Sequence, residues 1–125
     1  MRELLILLLV VLVIAIWIFL RKGSTLPAEE ARKHVRAGAV VVDVRTVEEF
    51  TAEHLPSAVN MPLNALESRI TNEVPDRSTV VLLHCRSGAR SSAAEKKLRK
   101  LGYAAAYNIG SYQRARSICD DVGSP

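Results

Sequence analysis

The chain is poor in several things, and each shortage excludes something. It has 2 cysteines in 125 residues, too few to staple a disulfide scaffold. Aromatic residues make up 5%, and no Lys/Arg stripe interleaved with aromatics is present, so a nucleic-acid partner is not expected. No His, Cys, Asp and Glu residues fall at metal-ligand spacing, since Cys85 and Cys119 are far apart and lack local partners. Neither a metal nor another cofactor is therefore expected. No internal repeat appears, and no low-complexity tract outside the N-terminal segment. Excess charge is scarce too. The formal net charge is +4, but Arg2, Glu3, Arg21 and Lys22 flank an apolar run. Without those four the rest carries 14 basic and 12 acidic residues.

Apolar residues are abundant and unevenly placed. They make up 49% of the chain, and 17 of them form the unbroken run LLILLLVVLVIAIWIFL over residues 4–20. The other 108 residues are about 41% apolar, an ordinary value for one compact domain and too high for a disordered chain. The expected division is a transmembrane anchor with basic flanks over 1–22, a linker over 23–26 and one domain over 27–125.

As a helix the run spans about 26 Å at 1.5 Å per residue, close to the thickness of a bilayer core. It is apolar all round, unlike the single stripe of a soluble helix. Trp17 and Phe19 lie near one end, where aromatic rings favour the interface. A cleaved signal peptide is the rival reading, but it has a shorter apolar core and a small-residue cleavage site. Here Arg21 and Lys22 follow at once. Those two, with Arg32, Lys33 and Arg36 beyond them, outnumber Arg2 and place the domain in the cytoplasm by the positive-inside rule. The expected location is the cell membrane, single-pass, with membrane lipid as a partner.

Beyond the linker, Pro27, Glu29 and Glu30 suit a helix start, and that helix stops at Gly38. Residues 39–44 form a β-branched run that reads as a buried strand. A short helix is expected over 48–52, a turn over 54–57 and a short strand over 58–60. Asn64 and Glu67 match a capping-box pattern opening a helix to about Thr71. Residues 79–84 read as a second buried strand. A helix over 91–100, a strand over 103–109 and a last helix over 111–119 complete the pattern. Alternating strands and helices predict an α/β fold with a mostly parallel sheet flanked by helices. Sites in such sheets lie at the C-terminal strand ends. Asp43 and Arg45 end one strand, and His84 and Cys85 end another, so they belong on one rim.

The chemistry is concentrated in CRSGAR, residues 85–90. A cysteine at a strand end is followed by a tight loop and a helix start. Loop amides and the helix N-terminus present N–H donors, forming an anion nest to which Arg86 and Arg90 add positive charge. A thiol there has a lowered pKa and is largely thiolate at neutral pH. Gly88 supplies backbone freedom in the loop.

Residues 42–45 (VDVR), Glu49-Phe50, residues 54–62 (HLPSAVNMP) and the 85–90 loop occur in an order that resembles a single-domain rhodanese-like sulfurtransferase. The resemblance covers most of residues 26–119 and implies the rhodanese-like fold. It implies that Cys85 accepts sulfane sulfur from a small anionic donor such as thiosulfate. The resulting persulfide passes sulfur to cyanide or a thiol, which could be carried by a protein acceptor. Residues Arg86, Ser87, Gly88, Ala89 and Arg90 would bind the substrate, their main-chain N–H groups cradling the persulfide and the two arginines holding the donor. Asp43 and Arg45 would support the loop from below. Related phosphatases and arsenate reductases carry Cys-x5-Arg, which holds a tetrahedral oxyanion. Here the spacing is Cys-x4-Arg, a smaller ring suited to one terminal sulfur, although His84-Cys85 echoes the His-Cys start of those phosphatases. A non-enzymatic sulfur-carrier or docking module tethered to the membrane is the third reading. The stretch Glu53-His54-Leu55-Pro56-Ser57-Ala58 lacks two glycines common in the family, and it lies outside the cysteine loop.

The other candidates have blander readings. Cys119 reads as a packed helix residue rather than a resolving thiol. His54 reads as holding a turn, His84 as a satisfied strand-end residue, and His34 as solvated. Lys96, Lys97, Arg99 and Lys100 read as a solvated helix face, with contact to anionic lipid headgroups as the alternative.

Overall fold

The computed structural model describes residues 1–21 and 24–123. Lys22 and Gly23, the end of the expected anchor and the start of the expected linker, lie outside the described residues, as do Ser124 and Pro125. The elements are α1 (Arg2–Arg21), α2 (Ala28–Arg36), β1 (Val40–Asp43), α3 (Val47–Ala52), β2 (Ala58–Asn60), α4 (Leu66–Glu73), β3 (Val81–His84), α5 (Ala89–Lys100), β4 (Ala106–Gly110) and α6 (Tyr112–Gly123).

Helix α1 has 20 residues and so a length of about 30 Å. Its stretch Arg2–Leu20 is long and apolar enough to cross a membrane, and none of it is buried. An exposed apolar surface of this size marks a membrane or a protein partner.

The four strands form one parallel sheet in the order β2-β1-β3-β4. Val40, Val41 and Val42 in β1 and Val81, Leu82 and Leu83 in β3 suit strands covered on both sides. Side chains alternate across the sheet. Val42, Val44, Val81 and Leu83 pack with Leu66, Ile70, Ala94 and Leu98 of α4 and α5. Val41, Leu82 and Ile109 pack with Ala31 of α2 and Ala115 and Ile118 of α6. The same alternation sorts the polar strand ends. Cys85 falls with Leu83 on the α5 side, whereas Asp43, Arg45 and His84 share the parity of Val41 and Leu82 and belong to the α6 side.

Several expectations need correction. Asn64 caps nothing, because the Ala65 N–H donates to the Pro62 carbonyl at 2.8 Å. That turn absorbs Asn64, and α4 begins at Leu66 with no side-chain cap. The capping box is at Thr46 and Glu49, each side chain accepting the other's backbone N–H at 3.2 Å. Helix α5 starts at Ala89, two residues early, because Gly88 at φ 98° turns the loop straight into the helix. Strand β4 starts at Ala106 rather than 103. Tyr103 is instead a fully buried plug whose hydroxyl donates to the Val74 carbonyl at 2.6 Å. His34 is half-buried and stacked on Tyr107 at a 5.6 Å centroid distance, rather than free in solvent. The expected linker is also docked at its end: the Leu26 N–H donates to the Asn108 carbonyl at 2.9 Å.

Candidate active site

Cys85 leaves β3 at the C-terminal edge of the sheet and is fully buried. Its own N–H donates to the Gly110 carbonyl at 3.2 Å, which fixes the loop root against β4. The loop then folds back over the sulfur. The Gly88 N–H donates to Cys85 Sγ at 3.0 Å, and the Ser91 hydroxyl lies 3.5 Å away on the first turn of α5. Burial alone raises a thiol pKa. Here it is outweighed by hydrogen bonds from Ser91, Gly88 and Ser87, so the Cys85 thiol sits below its ordinary value. The pocket favours an anionic sulfur, and the donors do more of this than the arginine charges.

Two glycines permit the close approach. Gly88 and Gly110 both have φ near +97°, and a Cβ on Gly88 would lie 3.4 Å from Gly110 Cα. Behind them is a buried network that sequence reading missed. Ser91 Oγ is 2.7 Å from Asn108 Oδ1, which also accepts the Gly110 N–H at 2.9 Å. Ser91 and Asn108 are both buried. The single hydroxyl proton of Ser91 has both Asn108 Oδ1 and the sulfur within reach and can serve one of them at a time. The sequence signal was a serine in the first turn of the helix that follows the nest. The local pattern does not tell a serine aimed at the sulfur from one that faces solvent, because its partner Asn108 lies on β4.

Asp43 and Arg45 form a buried pair at the end of the neighbouring strand. Arg45 donates to Asp43 through Nε at 3.0 Å and Nη2 at 2.7 Å, a buried bidentate pair. Arg45 Nη2 also donates to the Glu53 carbonyl at 2.7 Å, and its guanidinium lies 4.7 Å from the centre of the Tyr112 ring. Asn60 Nδ2 donates to the carbonyls of Asp43 and Arg45. His84 is fully buried, with Nε2 3.9 Å from Asp43 Oδ2 and no hydrogen-bond partner for that nitrogen among the described residues. Burial pushes its pKa down, against the raising effect of Asp43, and so favours the neutral imidazole.

The two loop arginines differ. Arg90, on α5, is held by Glu49 through two contacts of 2.7 and 3.1 Å. That hydrogen-bonded pair keeps the Glu49 carboxyl at a pKa of about 2. The positive charge of Arg90 is therefore already answered within the protein, by a contact that nothing local in the sequence announces. Arg86 makes no ion pair among the described residues and stands on the wall of a cleft of about 520 Å³. Arg45, Glu49, Glu53, Ser111 and Tyr112 also line that cleft. Ser87 is tied to Ser111 by an isolated bridge, and Ala89 opens α5.

The remaining candidates stand apart from the loop. Cys119 is half-buried on α6, and burial pushes its thiol up. His54 Nδ1 is 2.7 Å from the Phe50 carbonyl and the ring stacks on Phe50, as a turn-holding residue should. Lys97 pairs with Glu67 at 2.6 Å, and Arg99 lies over Tyr107. Among the described residues, no three His, Cys, Asp or Glu side chains are grouped to hold a metal.

The sequence model of a family described as Rhodanese-like domain matches residues 27–115. Thiosulfate sulfurtransferase PspE of Escherichia coli is 36% identical over 69 residues, which cover 55% of this chain and 66% of that protein. The chain thus spans about two thirds of that relative. Thiosulfate sulfurtransferase GlpE of Pseudomonas savastanoi is 29% identical over 97 residues, or 77% of this chain and 90% of that protein. The structure of a human single-domain sulfurtransferase, TSTD1, is similar with a TM-score of 0.64 at 29% identity, covering 74% of this chain and 95% of that one.

Proposed function

The chain belongs to the rhodanese-like domain family, and from that premise we propose that it is a membrane-anchored sulfurtransferase working through a persulfide on Cys85. The Cys85 thiolate attacks the outer sulfur of an anionic donor such as thiosulfate. The sulfur–sulfur bond of the donor breaks and sulfite leaves with its electron pair. The enzyme then carries Cys–S–S⁻. A thiolate or cyanide acceptor attacks the terminal sulfur, and Cys85 departs as thiolate.

The observation that carries this reading is the set of donors converging on one sulfur: Gly88 N–H at 3.0 Å and Ser91 Oγ at 3.5 Å. Such donors stabilise both the attacking thiolate and the leaving one. Arg86 is the cation available to the incoming anion. Arg90, engaged by Glu49, shapes the loop more than it binds the donor. Asp43 and Arg45 hold the floor, while Ser87, Gly88 and Ala89 supply main-chain contacts. The short Cys-x4-Arg ring and the neutralised Arg90 disfavour a phosphate or arsenate substrate, which needs a free arginine over a wider nest.

Helix α1 supplies the anchor in this proposal, and Arg21 and Lys22 favour a cytoplasmic domain. Intact mass spectrometry after thiosulfate treatment tests the chemistry. A gain of one sulfur on the wild type, absent in Cys85→Ser, is the expected result. No gain on the wild type would overturn it, and turnover of an aryl phosphate or arsenate instead would reverse the substrate assignment.

A further inference from the structure

Where the chain enters the domain matters for what can reach the sulfur. The Thr25 methyl lies 3.5 Å from where a Cβ on Gly110 would sit. One residue on, the Leu26 N–H donates to Asn108 O at 2.9 Å, and Arg114 clamps the Leu26 carbonyl at 2.7 Å while holding the Ile109 carbonyl at 2.7 Å. Gly110 in turn accepts the Cys85 N–H, and its Cα faces Gly88 across 3.4 Å to the missing Cβ. The segment leading in from α1 is therefore pinned to the strand end that roots the catalytic loop. It does not enter at the opposite pole of the sheet.

Covalent geometry sets the consequence. Helix α1 ends at Arg21. Four residue steps separate Arg21 from Thr25, and fully extended they reach about 14 Å. The helix itself, at about 30 Å, is no longer than a bilayer core, so it leaves no rigid stalk above the surface. A folded protein of about 100 residues is roughly 30 Å across, twice that reach.

We infer that the short tether shuts bulky soluble protein acceptors out of the cysteine loop and leaves it to thiols presented at the bilayer surface and to small diffusible thiols. This rests on the anchored sulfurtransferase proposed above. The transfer is the one already written: the surface thiolate attacks the terminal sulfur of the Cys85 persulfide, the S–S bond to Cys85 breaks, and Cys85 leaves as thiolate.

The test uses the full chain in phosphatidylcholine vesicles, loaded with thiosulfate and then freed of it. Three acceptors are compared: a phospholipid with a thiol headgroup, a small soluble thiol of the same headgroup chemistry, and a soluble protein dithiol of about 100 residues. A second chain carries twenty Gly/Ser residues inserted between Lys22 and Gly23, which adds about 25 Å of mean reach and leaves Thr25 and Leu26 untouched. With the native tether, sulfur should reach the lipid thiol at least tenfold faster than the protein dithiol. The insertion should raise transfer to the protein dithiol at least fivefold, lower transfer to the lipid thiol, and leave the small thiol within twofold. Equal protein-dithiol rates at both tether lengths would overturn the inference alone. No transfer to the small soluble thiol, or loss of the chain from vesicles on alkaline carbonate washing, would overturn the underlying reading and the inference with it.

Discussion

The two cysteines make an internal experiment. Both are withdrawn from solvent, Cys85 fully and Cys119 about half, and burial pushes both thiols up. Only Cys85 ends below the ordinary value. Cys119 has one side-chain hydrogen bond, from Ser57, and the Asp120 charge works against its ionisation. Cys85 has Ser91, Gly88 and Ser87. Burial therefore does not decide reactivity; the number of N–H and O–H donors aimed at the sulfur does. A glycine loop entering a helix supplies several, and the middle of a terminal helix, with its amides already bonded, supplies none.

The largest expected contrast is in turnover. Cys85→Ser should abolish thiosulfate-to-cyanide transfer, while Cys119→Ser should leave kcat/KM within twofold. Equal losses in the two variants would end the comparison, because Cys119 would then share in the chemistry. Next comes the floor under one thiol and not the other. Asp43→Asn leaves the Arg45 charge buried without its carboxylate, and removing one partner of such a pair destabilises by about 3–5 kcal/mol. Chemical denaturation of the full chain in detergent should show that loss. Cys119→Ser should lose no more than about 1 kcal/mol by the same measurement.

Most of what separates the two thiols was readable from the chain. The β-branched runs, Gly88 and the placing of Cys85 straight after His84 are enough to put a thiol in a nest at a strand end. Asp43 and Arg45 follow from the same logic, because two parallel strands ending in polar residues must share a rim. What stayed hidden depends on contacts between residues distant in sequence. Glu49 and Arg90 meet across 41 positions, and nothing local to either announces the pair. Asn108 on β4 reaches Ser91 on α5, 17 positions away. The cap assigned to Asn64 failed for a different reason. The pattern was present, but a backbone turn from Pro62 used the residue first. Propensity rules see a motif and not its competitor.

Alkylation sharpens the comparison further. Near pH 7, iodoacetamide should label Cys85 faster than Cys119 by more than an order of magnitude, read by peptide mass spectrometry. The direction follows from the shifts: a lowered thiol pKa gives thiolate at lower pH, so the Cys85 rate should rise and level off as pH increases while the Cys119 rate is still climbing. Equal rates near neutrality would sink the donor argument. Ser91→Ala then removes one donor from the faster thiol. Losing a hydrogen bond of about 1 kcal/mol should slow Cys85 labelling at pH 7 by about three- to tenfold and move its pH profile upward. Cys119 in the same sample should not change, which separates a local effect from loosening of the fold.

The smallest expected effect lies in the second contrast within the loop, between Arg86, which makes no ion pair among the described residues, and Arg90, which Glu49 holds. Glu49 ionises near pH 2 because Arg90 hydrogen-bonds to it, so the pair is intact across the neutral range and its titration cannot be seen there. Removing the charge is the way to expose it. Glu49→Gln should free the Arg90 guanidinium toward the cleft and lower the KM for thiosulfate by about two- to threefold, a surface-scale charge effect of under about 1 kcal/mol. The gain should fade as salt is raised, since the freed charge is screened. Arg86→Gln should move KM the other way, by a larger factor. If Glu49→Gln instead raises KM, Arg90 is needed where Glu49 puts it, and the pair serves loop geometry alone. The two arginines then divide as the two cysteines do: the neighbour of each sets its role, and the residue type does not.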